Sequence, residues 1–146
     1  MTSRYRSLQD PDSLRSFVEN LREAIYITNS RGEVLDANPA FFSLLGVRSL
    51  EDLRSYGANE LVVDPARRLA ELDQIERHGF VRDFELQIVR PDGALLTVLD
   101  TVYSAHDAES GETLYHGILV DITHWKVLEE ELRQRAVRDP LTGCFN

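Results

Sequence analysis

Few residues of this chain have the types and spacing that chemistry requires. Of its four histidines, His78 sits alone near the middle, while His106, His116 and His124 fall late in the chain without the close pairing of a metal site. The sequence therefore assigns no metal. The single cysteine, Cys144, excludes an internal disulfide and fits a reducing, cytoplasmic setting. Asp100 is the unusual acid, because it interrupts the apolar run from Leu95 to Tyr103. If Leu96 and Val98 face a core, Asp100 does too and needs a partner. In the other register it faces water, the reading favoured here because lone carboxylates are rarely buried unpaired. Arg67 and Arg68 could meet an anionic ligand, but solvation on an amphipathic helix explains them more simply. There is no glycine-rich phosphate loop, no Ser-His-Asp setting and no acidic pair within a motif, so the fragment is not expected to be an enzyme.

The elements that must position these residues read as follows. Asp12 to Glu23 has the pattern of a helix, capped by Asp12 or Ser13, with Leu14, Phe17, Val18 and Leu21 on one face. Ala24 to Thr28 reads as a strand, Asn29 to Gly32 as a turn, and Val34-Leu35 as the return of a hairpin. Asn38 caps a short helix through Phe41, Phe42, Leu44 and Leu45 that ends at Gly46. Arg48 to Asn59 is expected to hold one or two short helical turns. A longer helix runs from Pro65 to His78, capped by Asp64 and stopped by Gly79, with Leu69, Leu72 and Ile75 inward. Three strands follow, Val81 to Arg90, Leu95 to His106 and Thr113 to Ile122, the first two joined by the turn Pro91-Asp92-Gly93. Thr123 to Arg138 closes the chain's regular structure as a helix with a narrow seam of Trp125, Leu128, Leu132 and Ala136, close to coiled-coil spacing. This order predicts an α+β fold: a five-stranded antiparallel sheet with helices packed on one face, plus N-terminal and C-terminal linker helices.

Length and charge narrow the function. The chain has 146 residues, enough for one domain with its own core. Its net charge of −9 disfavours nucleic acid and anionic membrane surfaces as partners, and no apolar run is long enough to cross a membrane.

Ala24-Ile25-Tyr26-Ile27-Thr28-Asn29, Gly32, Ala37-Asn38-Pro39-Ala40-Phe41, Leu45-Gly46, Arg90-Pro91-Asp92-Gly93 and Gly117 to Thr123 occur in the order and spacing of a PAS domain, which the stretch from Phe17 to Arg135 resembles. Arg138-Asp139-Pro140-Leu141-Thr142-Gly143-Cys144-Phe145-Asn146 resembles the opening of a GGDEF domain, with Cys144 where that family commonly has Leu. The Gly-Gly-(Asp/Glu)-Glu-Phe signature is absent from the chain. The two resemblances imply a flexible N-terminus over 1–11, a PAS domain with its flanking helix over 12–123, a linker helix over 124–138 and the start of a GGDEF domain over 139–146.

The resemblance further implies a sensory module of a bacterial cyclic di-GMP signalling protein, whose parent is a diguanylate cyclase and can carry a phosphodiesterase domain beyond it. It implies a homodimer, through Leu14, Phe17 and Val18, which could instead pack on the chain's own sheet, and through Trp125, Leu128 and Leu132. It implies a ligand pocket walled by Ile25, Ile27, Phe41, Leu45, Leu61, Leu72, Ile75, Phe84, Leu86, Ile88 and Tyr115, although such periodic apolar positions can equally be filled core. The cofactor is undetermined. Haem would use His78 as its iron ligand, a residue that the helix dipole also explains. Light-sensing flavin chemistry lacks its cysteine in the helical region, and a redox flavin has no signature here. The alternative is a ligand-free dimerisation and relay module with a filled core.

Overall fold

A computed structural model describes residues 9–56 and 61–138. The first helix, α1 (Pro11–Asn20), begins one residue before the expected Asp12 because Asp10 accepts from the Ser13 N–H at 3.1 Å and Pro11 takes the first helical position, and it ends at Asn20, short of the expected Glu23. The hairpin of β1 (Ala24–Asn29) and β2 (Val34–Ala37) follows. In α2 (Pro39–Leu45), Asn38 caps the start and left-handed Gly46 (φ 73°) ends it. Next come α3 (Leu50–Arg54) and α4 (Pro65–His78), the latter capped by Asp64. Strands β3 (Phe80–Val89), β4 (Leu95–His106) and β5 (Thr113–Asp121) lead to α5 (Thr123–Arg138).

All the sheet pairings are antiparallel and the strand order is β2-β1-β5-β4-β3. This is the expected five-stranded α+β architecture. The first and last parts of the chain thus meet at the centre, with β1 paired to β5. One face of the sheet carries the core. It is built from Tyr26, Phe41, Leu45, Leu53, Ile75, Phe84, Leu86, Val98 and Val102, among others, under α2, α3 and α4. A bulge between Val81 and Phe84 turns both of those side chains inward at the start of β3.

Three expected orientations are corrected. In β1 the buried positions are Ala24, Tyr26 and Thr28, so Ile25 and Ile27 point to the opposite face. Ile-Tyr-Ile is apolar in both phases of the strand, so alternation could not choose between them. In α4, Leu69 is 66% exposed, while Arg68, Glu71, Leu72 and Ile75 form the inward stripe at i, i+3, i+4 and i+7. Asp100 is buried at 1% exposure, in phase with Leu96 and Val98, and the water-facing reading is wrong.

Helix α5 is fastened to the sheet at its first turn. The Thr97 N–H donates to the Thr123 hydroxyl at 2.9 Å, the Ile122 N–H donates to the Thr97 carbonyl at 2.8 Å, and Lys126 Nζ meets Glu85 at 3.1 Å. Asp121 accepts from the Thr123 N–H at 2.9 Å and caps the helix. On the side away from the sheet, Trp125 in that turn and Leu128 and Leu132 beyond it are exposed. The expected GGDEF opening, residues 139–146, and most of the expected N-terminal segment lie outside the described residues. Among the described residues, no helix is long and apolar enough to cross a membrane.

Candidate functional site

The inner sheet face and α2, α3 and α4 leave a cavity of about 90 Å3. Much of its wall is apolar, from Phe41, Leu45, Leu61, Leu86 and Ile88 of the expected pocket together with Val34, Leu53, Val62 and Leu119. Gly32 also contributes. Leu72, Ile75, Phe84 and Tyr115 pack in or against the core without lining this cavity, and Ile25 and Ile27 line a groove with Leu14 and Val18 of α1 on the other side of β1. His78 is exposed at the end of α4 and is not among the residues that line the cavity. A benzene-sized guest occupies a cavity of roughly 150 Å3, so this one suits a ligand of only a few heavy atoms and has no room for haem or flavin.

The polar part of the wall comes from Tyr26, Thr28, Arg68 and Asp100. Four side chains build a closed network behind it. The Tyr26 hydroxyl reaches both Asp100 oxygens, at 2.8 and 2.9 Å, across 74 residues of sequence. To get there the phenol crosses β5, where its direct neighbour is Gly117. A Cβ on Gly117 would overlap the Tyr26 ring, so close approach explains this glycine. Arg68 Nη1 pairs with Glu71 on the same helix and lies 4.0 Å from Asp100. Glu71 is completely buried, and its Oε2 has no donor among the protein groups described.

Two buried carboxyls against one guanidinium leave an uncompensated negative charge, and desolvation makes that costly. Asp100 responds by holding its proton: burial pushes its carboxyl well above the ordinary range, and the hydrogen bond and negative charge of Glu71 push it further. The Tyr26 hydroxyl and Arg68 oppose this rise without reversing it. A proton kept on Asp100 removes the excess charge and can be donated to Glu71. Tyr26 is also held well above its ordinary value, first by burial and then by Asp100 and Glu71. Thr28 is 3% exposed, and its Oγ1 has no partner. The arrangement can therefore hold a proton and offers acceptors to a small guest, while the Tyr26 and Phe41 rings, 5.3 Å apart, provide apolar faces.

The sequence reading missed Tyr26, Thr28 and Glu71 as site residues and took Arg68 for a solvated helix residue, whereas it is turned inward and paired with Glu71. Asp100 was the one available signal, since inward placement required it to have partners. Those partners lie on β1 and α4, too far along the chain for local spacing to reveal.

This sheet order, with helices enclosing a small cavity on one face, defines a class of sensory α+β modules, and the comparisons agree. A PAS domain family model matches residues 22–124. The chain belongs to the PAS domain family, whose members are sensory domains of signalling proteins. Among solved structures, a PAS domain from a two-component sensor histidine kinase is 18% identical, with a TM-score of 0.65, over 75% of this chain and 94% of that one. An RNA-binding light-oxygen-voltage receptor is 22% identical, with a TM-score of 0.69, over 93% of this chain and 40% of that one. The PAS domain of a protein from Colwellia psychrerythraea is 22% identical, with a TM-score of 0.67, over 77% of this chain and 97% of that one. At these identities the likeness concerns the fold. No curated protein matches the sequence.

Proposed function

We propose that this chain is the ligand-binding input module of a cyclic di-GMP signalling protein, a dimer that controls a C-terminal diguanylate cyclase. The observation that carries the ligand part is the small cavity with an unpartnered, buried Thr28 hydroxyl beside the Tyr26–Asp100–Glu71–Arg68 network. A core that only had to be filled gains nothing from four polar groups and a void. The output part rests on Asp139-Pro140-Leu141-Thr142-Gly143, which follows α5 directly and resembles a GGDEF opening.

Helix α5 supplies the mechanical link. Its start is tied to Thr97 on β4, the strand that carries Asp100 into the core. A change in the cavity is thereby conveyed along β4 to the first turn of α5. The exposed stripe of Trp125, Leu128 and Leu132 suits pairing with the same helix of a second copy, and a shift in that pairing would set how two cyclase domains face each other. In this reading the module regulates a reaction and performs none.

The test is cyclic di-GMP formation from GTP by the protein with the sequence that continues past Asn146. Product formation that changes when the cavity is altered is the expected result. Absence of any cyclic di-GMP would contradict the assigned output.

A further inference from the structure

We propose that the cavity takes a small organic ammonium ion, held by Asp100, the Tyr26 oxygen and the free Thr28 hydroxyl against the Tyr26 and Phe41 rings. This rests on reading the cavity as a sensory ligand site and names the chemistry of its ligand. The groups at the cavity's polar end are Tyr26 and Thr28 from β1, Arg68 from α4 and Asp100 from β4, with Glu71 of α4 behind them, paired to Arg68. Their inventory is two acids and one permanent cation, and that cation is already engaged by Glu71. An anionic ligand would add a third negative group to this site. An ammonium brings a positive charge to these acids, and its N–H groups offer a donor to the Thr28 oxygen, which has none among the described residues. Thr28 is the independent sign of a guest: it is 3% exposed, it lines the cavity, and its oxygen has no hydrogen-bond partner among the described residues. The Tyr26 and Phe41 rings border the same space and can add cation–π attraction.

Charge balance makes the ammonium and the proton competitors. Without ligand, a proton held on Asp100 leaves this site neutral in sum. When the ammonium enters, that proton leaves to solvent, both acids are ionised, and the sum including ligand is again neutral. Binding therefore weakens as pH falls.

Thermal unfolding with ethylammonium chloride tests this, run beside sodium chloride at equal ionic strength, sodium propionate and 1-propanol. Ethylammonium is expected to raise Tm by about 3–5 °C at about tenfold excess over Kd, more at about pH 8 than at about pH 5.5. The rise should shrink in Thr28→Val, which keeps the shape and loses the hydroxyl, and vanish in Asp100→Asn. A rise that is undiminished in both variants would overturn the proposal. Stabilisation by propionate or propanol without ethylammonium would overturn the cation assignment and leave a ligand site. No effect of any of the three would overturn the ligand reading together with it.

Discussion

Asp100 decides the character of the core. It is an acid at 1% exposure whose neighbours include a second buried acid, and both the Tyr26 phenol and Arg68 are spent on the pair. Because its pKa is raised on folding, the folded state binds more protons than the unfolded one above the ordinary value of 3.8. Its contribution is fully present below that value and is lost as pH rises through the folded-state pKa. Asp100→Asn keeps an acceptor for the Tyr26 hydroxyl and a donor for Glu71 without the titration. Relative to wild type, the variant should gain stability as pH is raised from about 4, by up to about 1.4 kcal/mol per pH unit until the folded Asp100 ionises. Urea titrations across that range read this directly, and parallel stability curves for the two proteins would contradict the proton held on Asp100.

At the scale of elements, α5 has two parts with different duties. Its first turn is bound to β4 and β3 through Thr97, Thr123, Lys126 and Glu85, and the rest leaves Leu128 and Leu132 exposed, where the proposed dimer would bury them. Burying a leucine stabilises by about 1.5–3 kcal/mol, so Leu128→Asp with Leu132→Asp should weaken the dimer at least about tenfold. Sedimentation equilibrium measures it, and an unchanged association constant would remove α5 from the interface. The elements themselves were legible wherever capping and turn chemistry acted locally: Asp64-Pro65 and Gly79 bound α4, and Asn38-Pro39 and Gly46 bound α2. What could not be read was rotation. Leu69 looked like a core residue because it is apolar, yet the helix turns Arg68 and Glu71 inward instead. Those charges are tolerated only because Asp100 and Tyr26 arrive from distant strands, a pairing that no local window contains.

Across the whole molecule, the network joins β1, β4 and α4 at one end of a small cavity, and β4 continues from that cavity to the anchor of α5. The net charge of −9 disfavours a polyanion as the partner of this chain. The most direct measurement is native mass spectrometry of the purified protein beside the same sample denatured. The account predicts a small adduct on the folded protein that disappears on denaturation and is missing from Asp100→Asn. Polypeptide mass alone under both conditions, on a dimer, would contradict a ligand-sensing core and favour a relay module that works by its interface.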